Sequence, residues 1–202
     1  PDCLSPATFY PEPGAPDYVA DAIAGGTRVF KAHVQVGDYS PADPLLDDVW
    51  GTIADAGVPV IIHCGSGPAP GSHTGPDHVR TVLDRHPNLK LIIAHLGMPE
   101  YSEFLDLCER FDSVHLDTTM AFTPFIEETM PFPPAELPRL GEFGDRILFG
   151  SDFPNIPYPY AESLNVLAKV APDDDWLRKV LYHNAARLFD IDDRRTGAEN
   201  RG

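Results

Sequence analysis

Two histidines and one aspartate stand at the ends of short apolar runs in this chain of 202 residues. The runs and their polar residues are VPVIIHCG with His63, LKLIIAHLG with His95 and ILFGSDFP with Asp152. Apolar runs of this length that stop at glycine or proline are typical of buried strands. A carboxylate at a strand end is costly to bury unless a cation or a donor meets it. Two imidazoles and one carboxylate are ligands that zinc prefers, so these residues predict a metal site.

The alternation of side chains along a strand decides which way these residues point. Successive residues of a strand face opposite sides of the sheet. Ile61 and His63 therefore share one face of their strand, and Ile93 and His95 share one face of the next. If the strands run parallel, both imidazoles lie at the same edge of the sheet as Asp152.

Five strand patterns alternate with helical patterns along the chain, at intervals of roughly thirty residues. The strands are predicted at 29–36, 58–65, 89–97, 114–119 and 147–149. The helices are predicted at 17–24, 43–56, 77–86, 98–111, 161–170 and from 173 onward. Alternation of this kind is typical of βαβ units, which form parallel sheets with right-handed crossovers.

Polar residues gather at the C-terminal ends of these strands, where (β/α)8 barrels of the TIM type carry their catalytic groups. The sequence therefore predicts an α/β fold with a parallel (β/α) barrel. About five βα units are present, and five strands cannot close an eight-stranded barrel, so we expect an incomplete barrel with exposed edges. An open doubly wound sheet is the alternative, but its GxGxxG fingerprint is absent from the sequence.

Charge and composition exclude several classes of partner. The chain has 31 acidic and 15 basic residues, a formal charge of -16 that repels nucleic acid and anionic lipid. Its longest apolar runs have the length of a strand, and its start lacks the pattern of a signal peptide. The three cysteines lack CxxC spacing, which favours a reducing, cytoplasmic compartment. We expect a small-molecule substrate.

The chain divides into three parts by composition. Residues 1–16 are rich in proline and predict a loop or an arm. Residues 17–191 carry the strand and helix patterns and predict the partial barrel domain. Residues 192–202 form a polar tail, for which we expect no regular structure. The first residue is proline, which indicates either removal of an initiator methionine or upstream sequence that is missing.

Several of these segments resemble one known family. PVIIHCGSGP, LKLIIAHLGMP, VHLDTT, RILFGSDFPNIPY and HNAARLF are similar to the C-terminal two-thirds of an amidohydrolase-related (amidohydrolase 2) TIM-barrel protein. The resemblance runs from about residue 17 to about residue 190 and implies strands four to eight of the barrel. It also implies a metal-dependent enzyme, because this branch includes hydrolases, lactonases and nonoxidative decarboxylases of carboxylic acids.

The resemblance assigns roles to individual residues. It implies His63 as a metal ligand, Asp152 as a ligand and proton acceptor, and His95 as a second ligand or a general acid/base. The metal it implies is a divalent ion, most plausibly zinc. Lys31 lies where some relatives carry a carbamylated lysine that bridges two metals. We favour instead a role for Lys31, or for His33, in binding a substrate carboxylate, because an inward ammonium needs an anion.

One departure from the family pattern limits these assignments. The first strand of the family ends in His-x-His, and no such triplet occurs in this sequence. The chain could be a fragment of a longer protein, a second copy could cover the gap, or the N-terminal arm could do so. Exposed edges also predict a homo-oligomer.

Three functions remain open from the sequence. The first is a metal-dependent hydrolase that acts on a small carboxylate-bearing, amide, ester or lactone substrate. The second is a nonoxidative decarboxylase of the same family. The third is an inactive barrel remnant with a binding or assembly role, which fold-level analogy does not exclude.

Other polar residues have structural interpretations. Asp117, at the end of the fourth strand, either binds substrate or accepts hydrogen bonds from backbone donors, and we favour the backbone. The proline-rich segment 121–138 is predicted to be a flap over the pocket. We expect four further histidines to be hydrogen-bonded core or rim residues: His78, His86, His115 and His183.

Overall fold

The structure is a computed structural model that describes residues 3–191. Its centre is a sheet of five parallel strands, which follow one another in sequence order. The strands are β1 (Phe30–His33), β2 (Val60–His63), β3 (Leu91–Ile93), β4 (Val114–Asp117) and β5 (Ile147–Leu148). The predicted α/β fold with a parallel sheet is therefore confirmed. The five strands do not close into a barrel, as expected for an incomplete one.

Helices connect the strands on the outer side of the sheet. The α-helices are α1 (Ala15–Ala24), α2 (Val34–Gly37), α3 (Asp47–Ala56), α4 (Pro76–Arg85), α5 (Tyr101–Arg110), α6 (Pro124–Glu127), α7 (Leu137–Glu142), α8 (Tyr160–Val170), α9 (Asp174–Arg178) and α10 (Asn184–Leu188). A π-helical turn at Lys179–His183 joins the last two. Short 3-10 helices lie at Pro44–Leu46, Ala94–Gly97, Pro134–Glu136 and Gly144–Arg146.

The two faces of the sheet differ in burial. Along β1 and β2, each buried residue alternates with one that is partly exposed. The helix-covered face is buried and consists of Phe30, Ala32, Val60, Ile62, Leu91, Ile93, Val114, Leu116 and Ile147. The opposite face carries Lys31, His33, Ile61 and His63, which no helix layer covers completely. This concave face is the interior surface of a barrel that remains open.

The chain itself covers part of each sheet edge. Ala7, in the N-terminal arm, pairs with β1: its N–H donates to the Val29 carbonyl at 3.1 Å, and its carbonyl accepts from Lys31 N–H at 2.8 Å. At the other edge, the Asn184 amide donates to the Ile147 carbonyl at 2.7 Å. Of the two expected ways to cover the gap, a second copy or the arm, the arm accounts for part of one edge.

The end of the described chain reaches back across the open side of the sheet. The Arg28 guanidinium, just before β1, donates to the carbonyls of Phe189 and Asp190. Ala185 and Phe189 thereby lie over the concave face, where they line a cavity of about 270 Å³ together with Lys31. The C-terminal segment thus ties the β5 side of the sheet to the β1 side.

The predicted limits of the arm can be compared with the structure. Helix α1 already begins at Ala15, so the irregular arm is two residues shorter than expected. The predicted polar tail, 192–202, lies outside the described residues. No helix among residues 3–191 has the length and apolar character needed to cross a membrane.

Candidate active site

Four of the predicted site residues meet at the C-terminal ends of the strands. The rings of His33 and His63 are stacked, with centroids 4.1 Å apart and planes at 12°. The rings of His63 and His95 meet edge to face at 4.8 Å. The Nε2 atom of His95 lies 3.6 Å from Oδ2 of Asp152. The structure therefore brings three imidazoles and one carboxylate to the same rim.

The position of His95 differs from the predicted strand. Strand β3 ends at Ile93, and His95 and Leu96 follow in the left-handed region with φ of 60° and 53°. The alternation that was predicted to carry Ile93 and His95 on one face therefore stops before His95. A left-handed non-glycine residue costs roughly 1–2 kcal/mol, so surrounding contacts must hold this turn.

The ring of His95 has a fixed tautomer. Its Nδ1 lies 3.2 Å from the carbonyl oxygen of Thr119. A carbonyl oxygen can only accept, so Nδ1 carries the proton of the neutral ring and Nε2 keeps a lone pair. That lone pair is on the side of Asp152, whose side chain is 42% exposed. His95 can therefore accept a proton or bind a metal through Nε2.

His63 is anchored by the turn that follows its own strand. Its Nε2 lies 3.1 Å from the Gly67 carbonyl, so Nε2 is the protonated nitrogen. Burial, with further contributions from His95 and His33, lowers the pKa of His63 to about 3. The turn is held in place by Glu100, whose carboxylate accepts from Ser66 N–H at 3.0 Å. No signal in the sequence indicated this role of Glu100.

His33 and Lys31 extend the site along β1. The Nδ1 atom of His33 accepts from Val36 N–H at 3.3 Å and caps the short helix α2. Burial, and then the neighbouring Lys31, lowers the pKa of His33. The Lys31 ammonium lines the cavity beside Asp117 and Asp152, and it makes no hydrogen bond or ion pair with another described residue.

The donor atoms only partly fit a metal ion. Two ligands of a tetrahedral zinc ion lie about 3.3–3.6 Å apart, so Nε2 of His95 and Oδ2 of Asp152 are suitably spaced at 3.6 Å. The Nε2 of His63 is instead directed to a carbonyl. Within residues 3–191, no three His, Cys, Asp or Glu side chains form a group that could hold a metal. The ligand set of His63, His95 and Asp152 stays a prediction.

The remaining polar residues have local partners. Asp117 accepts from the backbone N–H groups of His95 and Thr119, as favoured from the sequence. His86 pairs with Asp47, and the rings of His78 and His115 contact Ser40 and the Ser113 carbonyl. In the predicted flap, the buried residues are Ala121, Phe122, Thr123, Ile126 and Phe132.

Comparisons with known proteins identify the fold. No curated protein sequence matches the chain. An uncharacterised TIM-barrel protein from Bordetella bronchiseptica is 23% identical with a TM-score of 0.77, and the match covers 91% of this chain and 65% of that one. A 2,6-dihydroxybenzoate decarboxylase from Rhizobium is 19% identical with a TM-score of 0.67, covering 93% and 71%. A dihydroorotase from Campylobacter jejuni is 15% identical with a TM-score of 0.64, covering 92% and 64%.

These structural matches show a shared TIM-barrel fold, of which this chain spans about two-thirds of the length. The family is shown by a separate comparison. The family model described as amidohydrolase matches residues 5–191, which include all five strands and every residue of the rim. Members of that family are metal-dependent hydrolases or decarboxylases and generally bind divalent metals. The chain therefore belongs to the amidohydrolase family.

Proposed function

We propose that this chain is a metal-dependent hydrolase of a small substrate that carries a carboxylate or an amide, ester or lactone bond. The observation that carries the proposal is the distance of 3.6 Å between His95 Nε2 and Asp152 Oδ2. Asp152 lines a cavity together with Lys31, whose ammonium has no hydrogen-bond or ion-pair partner among the described residues. Lys31, a cation that could bind the substrate, and Asp152, a group that could transfer a proton, therefore line the same cavity.

His95 and Asp152 would hold the divalent ion, with His63 as the predicted third ligand. Zinc suits this set of nitrogen and oxygen donors best. A bound divalent ion supplies Lewis-acid chemistry, which polarises a carbonyl group and acidifies water. Because burial keeps His63 neutral, its ring is in the protonation state that metal binding requires.

The other residues bind the substrate and move the proton. Lys31 would bind a substrate carboxylate, assisted by His33 at the rim. The side chain of Asp152 is partly exposed and can accept a proton from water, while Nε2 of His95 can take or return one. The segment 121–138 would close over the cavity and exclude solvent.

A nonoxidative decarboxylase is the second candidate. Its support is the same cavity, because Lys31 could bind the carboxylate that leaves while His95 or Asp152 protonates the carbon. The decarboxylases of 2,6-dihydroxybenzoate and 5-carboxyvanillate share the fold. Their low identity to this chain makes this an argument from fold alone.

The test begins with zinc reconstitution of the purified chain and removal of excess metal by dialysis. Metal content is measured by mass spectrometry, and turnover is measured on panels of esters, lactones, amides and aromatic carboxylates. We expect bound zinc together with hydrolysis, and release of carbon dioxide would favour the decarboxylase. Neither bound metal nor turnover would favour the inactive remnant with a binding or assembly role.

Two variants and one control locate the activity. His95→Asn and Asp152→Asn should lower kcat by about 10²–10⁴-fold, because each removes a group that transfers a proton or binds the metal. His86→Asn is the matched control, since His86 pairs with Asp47 away from the rim. Equal activity of all three variants would contradict the assignment.

A further inference from the structure

We infer that residues 117–119, which we call the β4 tip, form a positioning element that sets the geometry of His95 against Asp152. Its catalytic consequence rests on the proposed function. Its structural content does not, because the contacts that carry it lie within the described chain. Asp117 and Thr119 lie against the residues that follow β3 and β5. This role requires no contact of Asp117 or Thr119 with a metal or a substrate.

The first contact fixes the backbone of His95. Oδ1 of Asp117 accepts from the N–H groups of His95 and Thr119, both at 3.0 Å. The Asp117 residue is only 7% exposed, so this carboxylate replaces its lost hydration by hydrogen bonds to backbone donors. The bond therefore anchors the backbone at His95, whose φ of 60° lies in the left-handed region.

The second contact fixes the imidazole of His95. The Thr119 carbonyl accepts from Nδ1–H, as described above, and Thr119 N–H is itself held by Asp117. One carboxylate therefore orients both the backbone of His95 and the residue that selects its tautomer. Loss of the Asp117 carboxylate should therefore free both the backbone of His95 and the backbone of Thr119.

The third contact places the segment that leads to Asp152. A Cβ atom on Gly150 would overlap Oγ1 of Thr119 and lie 3.0 Å from Oδ1 of Asp117. Only a glycine allows the chain to run this close to the β4 tip. Thr118 N–H also donates to the Leu148 carbonyl at 2.9 Å, which fixes the register of β5. His95 and Asp152 are thus both positioned against one short segment.

Nuclear magnetic resonance of the metal-free chain tests this without substrate. The readouts are the ring-nitrogen shifts of His95, which report its tautomer, and the hydrogen exchange of its backbone amide. In Asp117→Ala we expect a mixture of tautomers and exchange of the His95 amide at least about tenfold faster, with the amides of β2 changed much less. Asp117→Asn keeps an oxygen acceptor and should retain the original tautomer.

A second variant keeps the inference testable if Asp117→Ala does not fold. Gly150→Ala should alter the same His95 signals, although Gly150 has no contact with that ring through a hydrogen bond. The original tautomer and exchange rate in Asp117→Ala, or in Gly150→Ala, would overturn the inference. So would a change in Asp117→Asn as large as that in Asp117→Ala, because the role would then depend on charge.

Kinetics separate this inference from the proposed function. If the chain turns over a substrate, Asp117→Ala should lower kcat by about 10²-fold with little change in KM, and Asp117→Asn should restore most of it. Absence of turnover in the unmodified chain would count against the proposed function only. A normal kcat in Asp117→Ala beside an altered tautomer would overturn the positioning role.

Discussion

The partly buried His115 is expected to make the stability of this fold depend on pH. It lies on β4, and its Nδ1 contacts the Ser113 carbonyl at 3.2 Å. Burial, opposed only in part by that contact, lowers its pKa from 6.5 to about 4. The unfolded chain therefore binds a proton at a pH where the folded chain does not.

The sign and size of this effect follow from the two pKa values. The contribution of His115 is fully present above pH 6.5 and is lost as the pH falls towards 4, by up to about 3 kcal/mol. Urea unfolding at several pH values between 7 and 4.5 measures it. His115→Gln should show a shallower loss of stability over that range than the unmodified chain, and identical slopes would rule out this cause.

Asn184 is a buried side chain that holds the β5 edge by hydrogen bonds. It is 1% exposed, and its amide donates to the carbonyls of Gly144 and Ile147, both at 2.7 Å. Asn184→Ala leaves two buried acceptors without a donor and should lower the free energy of unfolding by about 2–4 kcal/mol. Asn165→Ala, on the exposed side of α8, is the control and should change it by less than about 0.5 kcal/mol. Urea midpoints that coincide for the two variants would contradict this account.

At the scale of residues, the sequence predicted which side chains lie close together but not which contacts orient them. His63, His95 and Asp152 could be placed together because each follows an apolar run and precedes a glycine or a proline. The left-handed turn at His95 could not be predicted, because histidine does not specify that conformation. The turn depends on Asp117, which is remote in sequence, so no local pattern contains it.

At the scale of elements, helix positions followed the sequence closely because their end signals are local. Helix α3 ends at Ala56, and its C-cap Gly57 adopts φ of 65°. The strands are shorter than predicted. Strand β1 stops at His33, because the His33 side chain accepts from Val36 N–H and starts helix α2. The residues of 34–36 therefore leave the strand alternation that was predicted for them.

Gly51 offers a stabilising change within α3. A Cβ atom there would lie 3.6 Å from the His86 ring, an ordinary contact, and glycine inside a helix is unfavourable. Gly51→Ala should therefore raise the free energy of unfolding by about 0.5–1 kcal/mol, measured by urea unfolding. Gly97→Ala is the contrasting variant and should be destabilising, because Gly97 has φ of 75° and its Cβ would overlap the Phe104 ring. A loss of stability in Gly51→Ala would refute the helix argument.

At the scale of the whole molecule, the βα repeat was enough to predict a parallel sheet and an incomplete barrel. Covering of the edges was not predictable in detail, because it comes from distant pairs such as Ala7 with Phe30. Self-association stays a prediction, and sedimentation at several concentrations measures it. Mass above that of one chain would support it, whereas a single chain at all concentrations would count against exposed edges.

Arg28 links the two sides of the open sheet, and its removal should have a local effect. In Arg28→Gln we expect amide exchange at residues 185–190 to become several-fold faster, because the carbonyls of Phe189 and Asp190 lose their charged donor. Exchange in β2 and β3 should stay the same. Arg80→Gln is the control, since Arg80 pairs with Asp77 on the surface of α4. Unchanged exchange at 185–190 would show that the Arg28 contact does not restrain this segment.

The contacts of the N-terminal arm with Val29 and of the C-terminal segment with Arg28 make a circular permutation of the chain feasible. Ala7 is hydrogen-bonded to Val29, and Arg28 donates to Phe189 and Asp190, so a segment near each end of residues 3–191 contacts one of two adjacent residues. A short linker could join the segment of Asp190 to the segment of Ala7, and new termini could be opened in the exposed loop at 68–72. Such a circular permutant would keep the order of the five strands in the sheet. The C-terminal segment and the N-terminal arm would then be continuous in sequence.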